Sequence, residues 1–122
     1  MSTRAKRITL GKGDVLIREG GASPAIYVLL SGRAEVYKRN RAGEEVLIGH
    51  IEPGEVVGEM AIIDDQPHMA TVIACEETYV AVMSRDQFLH QLEATDLLVR
   101  GIVEAMARRL RSAALRLTME GF

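Results

Sequence analysis

The feature that most constrains this chain is a change of hydrophobic period at Ser84. Before it, from Ile8 to about Met83, short runs rich in β-branched residues alternate with glycine-bearing turns. The runs Asp14–Arg18, Ile26–Leu30, Ala34–Lys38, Glu45–Ile51, Met69–Ala74 and Tyr79–Met83 each have the length of a strand. Gly11-Lys12-Gly13, Gly20-Gly21, Ser31-Gly32, Asn40-Arg41-Ala42-Gly43 and Pro53-Gly54 stand between them. Short strands at regular spacing predict an all-β sandwich, barrel or roll, whose corners use glycine for positive φ. Ala34–Lys38 and Glu45–Ile48, joined by the Asn40–Gly43 turn, predict a hairpin.

After Ser84 the period becomes helical. Ser84 reads as an N-cap, and Gln87 three residues later completes a capping box for a short helix over 85–94. Thr95 or Asp96 then caps a long helix over 96–118, with Gly121 just past its end. Along it Val99, Val103, Met106, Leu110, Ala113 and Leu117 recur at spacings of four and three, an a/d stripe. Such a stripe can simply cover the β-rich half. Leu98, Ile102, Ala105 and Ala114 widen the apolar face beyond one contact, so the stripe is read as a homodimer interface. The predicted architecture is a single domain over 1–122, mainly β with a C-terminal helix. An antiparallel, jelly-roll-like (cupin-like) β-roll occupies about 7–84.

Composition sets limits on function. With 122 residues, 48% hydrophobic and 26% charged, the chain can bury one core. A net charge of −2 supplies no basic field for nucleic acid or an anionic membrane. The single cysteine, Cys75, rules out an internal disulfide, and its place in Met69–Cys75 predicts a packed core thiol. The basic N-terminus leads into no apolar segment, and the longest apolar run, Ala25–Leu30, is too short to span a bilayer. A soluble, cytoplasmic protein is expected.

Catalytic and metal chemistry find little support. His50, His68 and His90 share no metal-ligand spacing, and a site combining His68 with Asp64 or Asp65 is the weaker alternative. Ser31-Gly32 reads as a turn and not as a nucleophile elbow. No catalytic residue, metal or cofactor is assigned, and the chain is not expected to be an enzyme.

The segment Gly58-Glu59-Met60-Ala61-Ile62-Ile63-Asp64-Asp65-Gln66-Pro67-His68-Met69-Ala70-Thr71 resembles the phosphate-binding cassette of cyclic nucleotide-binding domains. Lys12–Gly20 and Tyr27–Gly32 are similar to that family's opening strands, and Met106-Ala107-Arg108-Arg109-Leu110 to the dimerisation helix of catabolite activator-type regulators. The resemblance covers nearly the whole chain in the family's order. It implies a regulatory, signalling module that binds cyclic AMP or cyclic GMP. The implied ligand residues are Gly58, Glu59, Met60, Ala61, His68, Met69, Ala70 and Thr71, with Ile48 offering apolar contact to the base. Gly58 permits close backbone approach, and the residues after it can form a short helix start facing a phosphate. Glu59 can accept a hydrogen bond from the ribose hydroxyl, while Ala70 N–H and the Thr71 hydroxyl can reach the phosphate.

Two departures weaken that implication. The family's phosphate arginine is His68 here. A guanidinium is a permanently charged fork, whereas an imidazole offers one donor and is charged only part of the time. Charge-assisted bonds contribute about 1.5–3 kcal/mol each, so losing the fork costs roughly 2–4 kcal/mol, some thirty- to a thousand-fold in affinity. The positions matching the Thr-Ser pair that contacts the base are Ala113 and Ala114, which offer no side-chain hydrogen bond. Asp64 and Asp65 read as solvated loop acids. Arg108, Arg109, Arg111 and Arg116 read as a solvated helix end, which leaves room for an acidic protein partner. No helix-turn-helix follows the long helix, so DNA is not expected as a partner. Two readings stay open: a weak or altered cyclic nucleotide sensor, and a nucleotide-independent dimeric interaction module.

Overall fold

The computed structural model describes residues 6–22 and 24–121, with side chains described to residue 115. Among these described residues eight strands and three helices follow in chain order. They are β1 (Lys6–Leu10), β2 (Val15–Ile17), β3 (Ala25–Ser31), β4 (Ala34–Arg39), β5 (Glu45–Ile51), β6 (Val56–Val57), α1 (Glu59–Ile63), β7 (Thr71–Ala74), β8 (Thr78–Ser84), α2 (Arg85–Glu93) and α3 (Leu97–Gly121). The strands form two four-stranded antiparallel sheets, ordered β1-β8-β3-β6 and β2-β7-β4-β5. This is the expected antiparallel β-roll with a C-terminal helix.

The core is drawn from both sheets and from α1. Leu29 and Val80 of one sheet, Ala34, Val72 and Ala74 of the other, and Ile62 of α1 are almost fully buried. Each large side chain among them contributes about 1.5–3 kcal/mol on leaving water. The hairpin of β4 and β5 forms as predicted, from Ala34↔Ile51 to Arg39↔Glu45. Asn40 closes it, its side-chain oxygen accepting from the N–H groups of Ala42 and Glu44, each at 3.0 Å. Gly32 has no possible substitute at its corner. Its φ is +91°, and an added Cβ would lie 2.5 Å from the Glu77 carbonyl oxygen.

Several expectations are corrected in detail. β1 and β6 add to the expected strands; neither has a local strand signature, since Lys6–Leu10 lacks a buried face and β6 is only two residues long. β7 begins at Thr71 and not at Met69, because Met69 and Ala70 belong to the loop that enters the strand. Cys75 is half-buried, its Sγ 3.2 Å from the Arg33 carbonyl oxygen, and is not a core thiol.

The helices start where their caps predict. The Ser84 hydroxyl accepts from Gln87 N–H at 3.1 Å, and the Asp96 carboxylate accepts from Leu98 N–H at 2.9 Å. α3 runs to Gly121, three residues beyond the expected end. It lays Val103, Ala107, Arg111 and Ala114 towards the roll, at spacings of four, four and three. Leu98, Val99, Ile102, Met106 and Leu110 remain exposed on the other side. The predicted stripe therefore divides: Val103 packs over the apolar groove that Phe88 and Met83 also line. Val99, Met106 and Leu110 face outward, Ala113 is half-buried, and the Leu117 side chain lies outside the described part of α3.

Candidate functional site

A cavity of about 260 Å³ opens between the loop that follows β6, the sheet of β2, β7, β4 and β5, and the inner face of α3. Its floor is apolar, made by Ile17, Val36, Ile51 and Val72. Glu59, His68 and Arg111 are its charged or titratable side chains. That size lies at the small end of small-molecule sites, with the mainly apolar wall and few convergent polar groups typical of them.

Local chain geometry explains how the segment reaches this cavity. Gly58 caps α1 at φ 91°, a left-handed turn that brings the chain from β6 into the helix at once. Ala61 and Ile62 bury the inner side of α1 and leave Glu59 at its start. The Glu59 carboxyl is pushed above its ordinary range by burial, opposed by a hydrogen bond from its own backbone N–H. Beyond α1, Asp65 turns the chain with a positive φ of 53°. The backbone of position 68 is then clamped to the glycine loop: His68 N–H donates to Gly21 O at 3.0 Å, and Gly20 N–H donates to His68 O at 2.8 Å.

That clamp aims the imidazole inward. His68 is only 6% exposed, and its Nε2 has no hydrogen-bond partner among the described residues. Its pKa is pushed below the ordinary histidine value, first by burial and then by the Arg111 charge. An orphaned buried nitrogen costs about 1–3 kcal/mol unless something partners it.

Arg111 is the residue that sequence reasoning missed. Its own segment reads as a solvated helix end, yet its side chain is 15% exposed and reaches down from α3 into the cavity. Its Nε and Nη2 donate to the two oxygens of Asp64, the latter at 3.1 Å, and its Nη1 donates to Pro67 O at 3.2 Å. Asp64 is correspondingly buried and does not turn away to solvent, because a bidentate cation waits for it across the groove. Asp65 does behave as a surface acid, 83% exposed and paired with Arg85. The signal for Arg111 lay in helical spacing: it stands four residues after Ala107 and three before Ala114, on the stripe of α3 that packs inward.

The structure brings together Gly58, Glu59, Met60, Ala61, His68, Met69 and Ala70 around the cavity. Two predicted residues do not line it. The Thr71 hydroxyl is turned to the β2 side, where it accepts from Glu19 N–H at 3.0 Å. Ile48 is 46% exposed on β5, and Ile51 at the end of that strand lines the floor in its place. Ala114 lines the rim contributed by α3. His50 and His90 sit on β5 and α2, away from this cavity. No group of three metal-capable side chains occurs among the described residues, and no described helix is long and apolar enough to cross a membrane.

A β-roll whose glycine-capped segment and C-terminal helix enclose a cavity with a glutamate at its lip defines a class of ligand-binding domain. The sequence pattern of the cyclic nucleotide-binding domain matches residues 7–95. The chain belongs to that family. It is 28% identical over 111 residues to the cyclic AMP receptor protein of Thermus thermophilus, covering 91% of this chain and 51% of that one. It is 33% identical over 108 residues to the cAMP-dependent protein kinase regulatory subunit of Hypocrea atroviridis, covering 88% of this chain and 21% of that subunit. Among solved structures, EAL enzyme Bd1971 in its cAMP-bound form superposes with a TM-score of 0.81 at 27% identity, covering 94% of this chain and 30% of that chain. The chain thus spans about half or less of the length of these relatives, which are mainly regulatory proteins.

Proposed function

We propose that this chain is a non-enzymatic regulatory module whose cavity takes a cyclic nucleotide, cyclic AMP or cyclic GMP, with low affinity. The observation that carries this reading is the buried imidazole of His68, unpartnered at Nε2 among the described residues, lining the same cavity as Glu59. Glu59 accepts from the ribose hydroxyl, Gly58 and Ala70 let the backbone approach the phosphate, and the apolar floor takes the base. Low affinity follows from chemistry: one neutral imidazole replaces a charged, bidentate fork. The exposed apolar side of α3 serves as the interface of a homodimer, and the protein acts in the cytoplasm.

Titration calorimetry with cyclic AMP and cyclic GMP tests the reading. Saturable heat at about millimolar ligand or below is expected. Absence of heat for both nucleotides at that concentration overturns it. A second reading, a nucleotide-independent dimeric module that docks protein partners, draws support from Leu97, Leu98 and Ile102, which are half or more exposed on one face of α3. In that case dimerisation persists while neither nucleotide binds.

A further inference from the structure

The cavity carries no arginine on its loop and one on its helix. His68 stands where the family's loop arginine is expected, and Arg111 enters the same space from α3. We propose that Arg111 is the anion-binding residue of this cavity, and that the bound phosphate competes with Asp64 for its guanidinium. The inference rests on the cyclic nucleotide reading and specifies which side chain recognises the charge.

Three observations support it. The guanidinium has five N–H donors. Three are engaged, two by Asp64 and one by Pro67 O, so an oxyanion meets the one N–H left on each of Nη1 and Nη2 and gains the side-on pair only by displacing Asp64. Arg111 lines the cavity beside His68, whose buried Nε2 lacks a partner, so the two side chains supply a mixed anion site without a loop arginine. Asp64 is 8% exposed and fixed on the segment just after α1. It therefore already holds the position of a carboxylate against Arg111, the same bidentate geometry that a phosphate would use. A ligand that takes over those donors loosens the tie between the loop and α3, so anion binding and helix docking are coupled.

Cyclic AMP and adenosine separate the charge from the nucleoside. Both are titrated by NMR into the wild-type chain and the Arg111→Gln, Arg111→Lys and Asp64→Asn variants, with circular dichroism confirming each fold. Arg111→Gln is expected to weaken cyclic AMP about ten- to a hundred-fold and to leave adenosine within about two-fold. Arg111→Lys keeps part of the cyclic AMP affinity. Asp64→Asn tightens cyclic AMP about three- to ten-fold with adenosine unchanged, because the competing carboxylate is gone. If Arg111→Gln does not fold, the Asp64→Asn result decides, and no tightening overturns the proposal. Unchanged cyclic AMP affinity in Arg111→Gln, or an equal loss for both ligands, overturns the role of Arg111 while leaving the nucleotide cavity standing. A wild-type chain and an Asp64→Asn variant that both ignore cyclic AMP and cyclic GMP at millimolar concentration remove the cavity reading and the proposal together.

Discussion

Arg111 of α3 holds Asp64 of the loop after α1 side-on, Nε and Nη2 each donating to one carboxylate oxygen. The two residues are 47 positions apart, and their pairing ties the ligand-facing loop to the helix that carries the exposed apolar face. The backbone of His68 is fixed separately by the Gly20-Gly21 loop. One wall of the cavity is therefore anchored to the sheet through backbone bonds, and the other to α3 through an ion pair that a ligand could exchange.

Restoring a fork on the loop should raise affinity. His68→Arg is expected to tighten cyclic AMP by about thirty-fold, the low end of the range for a lost bidentate contact, because the new cation stands near Arg111. Calorimetry on the variant and wild type checks this. Equal affinities would mean that position 68 does not meet the phosphate.

The titration of His68 has a definite sign. A base whose pKa is lower in the folded chain than in the unfolded one keeps the fold most stable above about pH 6.5, and that stability falls as pH drops below it. The urea midpoint of wild type should therefore fall between pH 7 and pH 5 relative to His68→Gln. The comparison with the variant cancels the opposite drift from Glu59, and the charges of Arg111 and Asp64 are common to both proteins. Nucleotide affinity should rise over the same interval and keep rising below pH 6.5, levelling off only once the lowered pKa of the unliganded protein is passed. A pH-independent difference between the two proteins contradicts this.

Glu59 is placed for ligand at the expense of stability. Its carboxyl is raised by burial, so the ionised form is disfavoured in the folded chain at neutral pH. Stability from this group grows as pH falls from its raised pKa towards about 4.5. Glu59→Gln should raise the Tm by a few degrees at pH 7, with the gain vanishing near pH 4.5, and should weaken cyclic AMP about ten-fold or more. Thermal scans at the two pH values and one titration are sufficient. A variant less stable at pH 7 would show that Glu59 serves the fold.

The outer side of α3 predicts the assembly. Met106 and Leu110 are 57% and 56% exposed and lie four residues apart on one face. The double substitution Met106→Glu with Leu110→Glu should convert a dimer to a monomer in light scattering while leaving the circular dichroism spectrum unchanged. A wild-type chain that is already monomeric at about 100 μM contradicts the dimer.

Much of the roll was legible because period and punctuation agree. Glycine corners such as Gly32 and Gly54 sit where positive φ is required, and the Asn40–Gly43 turn fixes the register of β4 and β5. Ser84 and Asp96 mark the helix starts by chemistry that local sequence displays. The cavity-lining segment 58–70 was legible through its resemblance. What local sequence could not display was pairing across distance. Asp64 and Arg111 each look like surface charges in their own segments, and only the docking of α3 buries them against each other. Thr71 likewise offers a hydroxyl, but the Glu19 N–H takes it up across the β2–β7 pairing. Ile48 and Ile51 lie three positions apart on one strand, so alternation sends them to opposite faces, and the pairing of β5 in the sheet puts Ile51 on the cavity side.

The central claim is that the space between Glu59 and His68 receives a cyclic nucleotide, and a backbone-amide NMR titration of the wild-type chain with cyclic AMP measures it most directly. Saturable shifts concentrated at Gly58–Ala61 and His68–Ala70, and extending to Arg111 and Ala114, are predicted, approaching completion at about millimolar ligand. Shifts that are absent, or that scatter over the surface and rise linearly without saturating, would contradict it.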